Sequence, residues 1–166
     1  GATLAQIGAG LASVRAVAGR LQLRRGRRGA WLIDDSYNAN PSSLRAGLEV
    51  LRELPGRRWL LLGEMAELGQ FAADSHRDAG ALARSMGVER LYALGAMPAL
   101  AAERFGPGAE RFGEVQELLR AIEPALEADV TMLVKGSRVA RLERVIEALA
   151  ADAGDRGGAA GRRQVN

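Results

Sequence analysis

The run Asp34–Asn40 reads DDSYNAN and places two carboxylates, a hydroxyl, a phenol and two carboxamides within seven positions. It follows directly on the apolar stretch Ala30–Ile33. A carboxylate at the end of a parallel strand can accept from both hydroxyls of a ribose. A tyrosine beside it can stack on a base or donate a hydrogen bond. Asn40 and Pro41 also have a structural use. An extended Asn before Pro is a helix N-cap, and Pro at the first helical position gives up no donor that the helix needs. Capping does not call for Asp34, Asp35, Tyr37 or Asn38. The plain alternative is one solvated Asp and a partly buried Tyr, and spacing alone chooses neither between these readings nor between the two aspartates.

Other polar groups stand after other apolar runs. In VKGSR, a strand ends at Lys135, Gly136 lets the backbone turn, and Ser137 is placed to cap a following helix. Helix N-termini attract anions, and Lys135 and Arg138 add full charges, so a carboxylate or phosphate suits the group. GEMAELG (63–69) carries Glu64 and Glu67, able to meet an ammonium group or a hydrated metal, or simply to be solvated. Arg20 precedes an arginine cluster at 24, 25, 27 and 28, which invites a polyanion. Few aromatics stand near that cluster to stack bases, and a solvated turn is the commoner role. His76 falls in a helix's first turn and reads as a surface histidine near the cap.

The elements that must position these groups are legible in the hydrophobic period. Arg20–Arg25 alternates like a strand, 26–29 is a turn, and Ala30–Ile33 is a second strand, so the three form a hairpin. Leu44, Leu48 and Leu51 mark a helix, and 58–63 is a short apolar run typical of buried parallel strands. Helical faces recur at Ala79–Met86, near Pro98–Arg104, at Val115–Ile122 and at Leu142–Leu149. Strand patterns recur at 90–95, 109–113 and 130–136. Alternating strands and helices predict an α/β, Rossmann-like fold: a mostly parallel sheet of five strands, helices on both faces, and an N-terminal hairpin strand at one edge. Residues 3–14 read as a further helix; 1–151 are expected to form the domain, and Gly-rich 152–166 a disordered tail.

Composition narrows the chemistry. The chain has 166 residues and no cysteine, which excludes disulfides, thiol catalysis and cysteine-bound metals. A single histidine leaves little room for a His-rich metal site or a Ser-His-Asp triad. The sequence G-x-x-x-x-G-K-[ST] does not occur, which excludes a self-sufficient P-loop ATPase. A formal charge of +3 permits polyanion binding without demanding it. No apolar run is long enough to span a bilayer and no secretory leader is visible, so a cytoplasmic protein is expected.

IDDSYNANPSSLRAGLEVL, LLGEMAELG, HRDAG and LVKGSRVARLE occur in that order. Together they resemble the C-terminal domain of the Mur ligases, and within that family the D-alanyl-D-alanine-adding branch, MurF. DDSYNANP is the most specific piece, since sister branches carry other residues there. The resemblance implies one domain of a three-domain enzyme, whose missing domains would hold the UDP-sugar, the P-loop and the Mg2+ ligands. The reaction it implies is ATP-dependent amide formation between UDP-MurNAc-tripeptide and D-Ala-D-Ala through an acyl phosphate, in peptidoglycan precursor synthesis. By position, Arg20 would reach the phosphates on closure and Asp35 would bind the ribose. Tyr37, Asn38 and Asn40 would line the nucleotide and dipeptide side. Lys135, Ser137 and Arg138 would hold the dipeptide carboxylate, with Glu64 and Glu67 in a second substrate-proximal loop. No metal ligand is expected in this domain. The alternatives are a non-catalytic nucleotide- or nucleic-acid-binding α/β module and a folylpolyglutamate-synthetase-like ligase domain; DDSYNANP argues against the latter.

Overall fold

The computed structural model describes residues 19–151. The helix expected at 3–14 and the tail expected at 152–166 lie outside the described residues. Strand β1 (Gln22–Arg25) runs antiparallel to β2 (Trp31–Asp35), with a 3-10 turn at Arg27–Gly29 between them. Then follow α1 (Pro41–Glu53), β3 (Arg57–Leu62), α2 (Ala72–Ser85), β4 (Arg90–Leu94), α3 (Ala96–Phe105), β5 (Ala109–Phe112), α4 (Val115–Ile122), β6 (Val130–Lys135) and α5 (Glu143–Leu149). The sheet order is β1-β2-β6-β3-β4-β5, and every pairing except β1 with β2 is parallel. The expected architecture is present, with the hairpin strand at one edge.

The helices divide by the direction of travel along the sheet. From β2 to β3, β4 and β5 the chain steps one way, and right-handed crossovers keep α1, α2 and α3 on one face. From β5 it returns to β6, between β2 and β3, so α4 lies on the other face, where α5 joins it. Two cores result. Leu44, Leu48 and Leu51 of α1 pack with Ile33, Leu60 and Leu133 on one side. Leu118, Val145 and Ile146 pack with Leu32, Trp59, Leu61 and Met132 on the other. Each such side chain contributes about 1.5–3 kcal/mol on full burial. β6 lies in the middle of the sheet and all six of its residues are buried, the polar Thr131 and Lys135 among them, which explains why the rest of the strand is apolar on both faces.

The second strand of the hairpin, β2, reaches two residues further than its apolar pattern suggests. Asp34 and Asp35 are its last rungs, paired in register with Val134 and Lys135. Strand alternation then sends the two carboxylates to opposite faces.

At the opposite, N-terminal end of the sheet, Arg57 clamps β3 to the lead-in of β6. Its Nε and Nη2 donate to the two Asp129 oxygens at 3.1 and 3.0 Å. Those hydrogen bonds hold the Asp129 carboxyl below its ordinary value, outweighing slight desolvation, and hold the Arg57 guanidinium above its own. A carboxylate depressed on folding stabilises the fold above its unfolded pKa, and that contribution is lost as pH falls through the folded one. Denaturation of wild type and Asp129→Asn is therefore expected to differ at neutral pH and to converge in acid, below the ordinary carboxylate range. A difference independent of pH would rule the clamp out.

Candidate functional site

In a doubly wound sheet, ligands bind beyond the carboxyl ends of neighbouring strands whose outgoing connections leave to opposite faces. Here β6 is such a strand on both sides. Its chain departs toward α5, whereas β2 and β3 depart toward α1 and α2. The loops after β2, β6 and β3 therefore converge on one rim, and they carry most of the residues singled out above.

The β2 loop opens with two separately engaged carboxylates. Asp34 Oδ1 accepts from the Ser36 hydroxyl at 2.6 Å and the Ser36 amide at 3.2 Å, while Oδ2 faces Arg24 Nη1 at 3.9 Å. Asp35 Oδ2 lies 2.7 Å from Lys135 Nζ, and Oδ1 accepts from the Leu21 amide at 3.3 Å. Both aspartates are buried, so neither is the solvated carboxylate of the plain reading. Asn40 caps α1 as expected: its Oδ1 accepts from the Ser43 amide at 2.8 Å, and the Ser43 hydroxyl accepts from the Asn40 amide at 3.1 Å. The Asn38 side chain accepts from the Ala39 amide at 2.8 Å, and its carbonyl accepts from Lys135 at 2.6 Å.

Tyr37 stands out from this loop, 41% exposed. Two guanidinium groups flank its ring, Arg20 at 5.0 Å and Arg138 at 5.7 Å from the centroid. Arg20 is held there because the Tyr37 amide donates to the Gly19 carbonyl at 3.0 Å. Residues from the lead-in, the β2 loop and the β6 loop, the last more than a hundred positions further along the chain, thus form one exposed cation–aromatic cluster.

The β6 loop departs from its sequence reading. Ser137 does not cap a long helix: a 3-10 turn spans Arg138–Ala140, Arg141 adopts a left-handed conformation (φ 49°), and α5 starts at Glu143. The expected helix N-terminus beside Ser137 is therefore absent, because the left-handed Arg141 interrupts the helical path. Ser137 instead donates its amide to the Glu64 carbonyl at 2.7 Å, tying the β6 loop to the β3 loop. Its hydroxyl is buried and has no hydrogen-bond partner. The two loops touch because both strands end in glycine. A Cβ on Gly63 would stand 2.9 Å from Ala140 Cβ, and one on Gly136 would stand 2.7 Å from Leu142 Cδ1. Glu64 and Glu67 have exposed side chains on the same rim.

His76 is not on the surface. It is completely buried in α2, where Nε2 accepts from the Met65 amide at 3.1 Å and Nδ1 meets the Ala72 carbonyl at 2.7 Å. Those partners fix the neutral tautomer with the proton on Nδ1. The histidine is a strut that holds the β3 loop against α2. The helix starts at Ala72, so His76 stands a full turn inside it and not in the first turn, and its burial leaves no mark in the sequence because the partner amide comes from outside the helix. Among the described residues no group of three or more His, Asp or Glu side chains could hold a metal ion. No helix among them is long and apolar enough to cross a membrane.

The family model for the Mur ligase, glutamate ligase domain matches residues 19–138, spanning the sheet and all three converging loops. This chain belongs to the Mur ligase family. As a Mur ligase domain it is 40% identical over 151 residues to the UDP-N-acetylmuramoyl-tripeptide–D-alanyl-D-alanine ligase of Escherichia coli K12, an alignment that covers 90% of this chain and 33% of that protein. It is also similar to the crystal structure of the MurF ligase from Thermotoga maritima in complex with ADP, with a TM-score of 0.71 and 27% identity over 83% of this chain and 32% of that one. The bifunctional folylpolyglutamate synthase/dihydrofolate synthase of Yersinia pestis shares the fold, at TM-score 0.60 and 20% identity over 81% of this chain and 32% of that one. The Mur ligase domain described here spans about a third of the length of the curated relatives it matches.

Proposed function

We propose that this domain is the part of a cytoplasmic MurF-type ligase that closes over ATP and receives D-Ala-D-Ala for addition to UDP-MurNAc-tripeptide. The observation that carries the reading is the exposed Arg20–Tyr37–Arg138 cluster at the convergence of the β2 and β6 loops. A ring with two guanidinium groups beside it suits a nucleotide, whose base can stack and whose phosphates need charge compensation. The surroundings agree. All four exposed large hydrophobics among the described residues, Tyr37, Phe71, Met97 and Val139, lie between the carboxyl ends of β2, β3, β4 and β6 and the first turn of the helix that follows each. A rim that is apolar as well as charged suits a surface covered by further domains of the same protein.

In this reading Arg20 supplies positive charge to the transferring phosphoryl group. Tyr37 and Asn38 line the nucleotide. Asp35 keeps lone pairs beyond its two present contacts and so retains capacity for a ribose hydroxyl. Asn40 shapes that wall as the cap of α1. The free Ser137 hydroxyl and Arg138 meet the dipeptide carboxylate, and Glu64 and Glu67 put negative charge near its amine. ATP brings the activating phosphoryl group, and its Mg2+ takes ligands from the upstream domains.

The hairpin arginines argue against a nucleic-acid module, because most already have partners. Arg24 faces Asp34, Arg25 stacks on Trp31 at 3.8 Å, and Arg27 pairs with Glu123. The test is reconstitution. The chain alone is expected to form no amide bond, and the full-length protein is expected to release phosphate from ATP only when tripeptide acceptor and D-Ala-D-Ala are both present. Glutamate addition to a folate instead, or salt-sensitive RNA binding by this chain, would overturn the reading.

A further inference from the structure

Lys135 ends β6 with its side chain turned into the protein, 1% exposed. Its ammonium has two partners in different directions, Asp35 Oδ2 at 2.7 Å and the Asn38 carbonyl at 2.6 Å. The first contact leads to the lead-in segment, since Asp35 Oδ1 accepts from the Leu21 amide at 3.3 Å. The second fixes the peptide that follows Tyr37. The loop is closed by the Tyr37 amide, which donates to the Gly19 carbonyl. One buried cation thus secures both sides of the Arg20–Tyr37 contact. Leu21 holds a left-handed φ of 47° within this arrangement, a conformation that costs energy in a non-glycine residue and persists only where the surroundings fix it.

We propose that Lys135 is a positioning residue, which holds Tyr37 and Arg20 in the geometry that receives the nucleotide and does not itself bind the dipeptide carboxylate. The proposal rests on the ligase reading above. A ligand carboxylate could reach the ammonium's third hydrogen only by entering a space in which Lys135 is 1% exposed to solvent, and taking the place of Asp35 instead would leave that carboxylate buried without its cation. Breaking such a pair from one side is strongly unfavourable. A lysine suits the task because a compact ammonium can direct separate donors to a carboxylate and a carbonyl.

The two roles separate kinetically in the full-length ligase. For Lys135→Met, the KM for ATP is expected to rise about tenfold, equivalent to one lost hydrogen bond of positioning. The KM for D-Ala-D-Ala should stay within about twofold of wild type. In a Tyr37→Ala background, Lys135→Met should add little further, because residues that act through one another are non-additive. A rise confined to the dipeptide KM, or full additivity with Tyr37→Ala, overturns the proposal. Amide hydrogen exchange on this chain gives a reading that needs no activity. Lys135→Met should speed exchange at Tyr37 while leaving β3 and β4 protected. If the full-length protein fails to ligate at all, the ligase reading falls, yet unchanged exchange at Tyr37 would still refute the positioning role. Should Lys135→Met not fold, Lys135→Met/Asp35→Asn removes the orphaned charge, and faster amide exchange at Tyr37 is the result expected of it, with unchanged exchange refuting the positioning role.

Discussion

Arg20→Ala in the full-length ligase is expected to lower kcat/KM by about a hundredfold or more, the scale on which one preorganised charge-stabilising donor contributes to a transition state. Arg20 is exposed and faces the Tyr37 ring, so its removal leaves no buried group unpaired. Folding stability should therefore stay near wild type, and the loss should appear in kcat as much as in KM, as for an interaction strengthened in the transition state. Steady-state phosphate release with saturating tripeptide and D-Ala-D-Ala measures it. Arg28→Ala, at an exposed hairpin position away from the rim, is the matched control for loss of a positive charge. Wild-type turnover by Arg20→Ala would remove Arg20 from the catalytic machinery.

The second large effect is on stability. Gly80 lies in α2 where that helix crosses α3, and a Cβ there would stand 2.0 Å from the Ala101 carbonyl oxygen and 2.8 Å from its carbon. Both clashes are with backbone, so no rotamer change relieves them. The helices would have to separate, loosening Ala79, Ala83, Ala102 and Phe105, all buried around the crossing. Overpacking a core costs about 1–3 kcal/mol, and a backbone clash belongs at or above the upper end. Gly80→Ala should therefore lose at least about 3 kcal/mol, which for a domain of this size lowers the melting temperature by about 6–12 °C. Urea denaturation with an unchanged m-value would measure it. Gly113→Ala, where a Cβ meets nothing within 4 Å, should leave the midpoint essentially unmoved. Equal midpoints for Gly80→Ala and wild type would refute the close crossing.

Both predictions depend on residues whose importance differs in how it can be read. Arg20 is visible in the sequence because it fits a family pattern, and its chemistry follows from its type. Gly80 carries no signal: a glycine within a helical period looks like a mild defect until the neighbouring helix is seen against it. His76 is the same kind of case, since its burial depends on an amide from the β3 loop. The last helix is present but starts at Glu143 and not beside Ser137, for a local reason, the left-handed Arg141, which the polar and charged residues around it did not announce.

The sequence by itself determined the order of strands and helices, the hairpin at the edge, the Asn40 cap and the family, because each is written in short-range periodicity or in contiguous motifs. It also marked the loops that bear polar groups, since ligands in such sheets gather beyond strand ends. Only the tertiary structure decided which of those groups are free. β6 inserts between β2 and β3 late in the chain, and this brings Lys135 onto Asp35 and Arg138 onto the ring of Tyr37. Charge type is fixed by one residue, but its availability is set by partners about a hundred residues distant. That is why Lys135, which the sequence marks only as a cation at a strand end, is buried against Asp35, while Tyr37, for which spacing left both a ligand-facing and a partly buried place open, stands exposed beside two arginines.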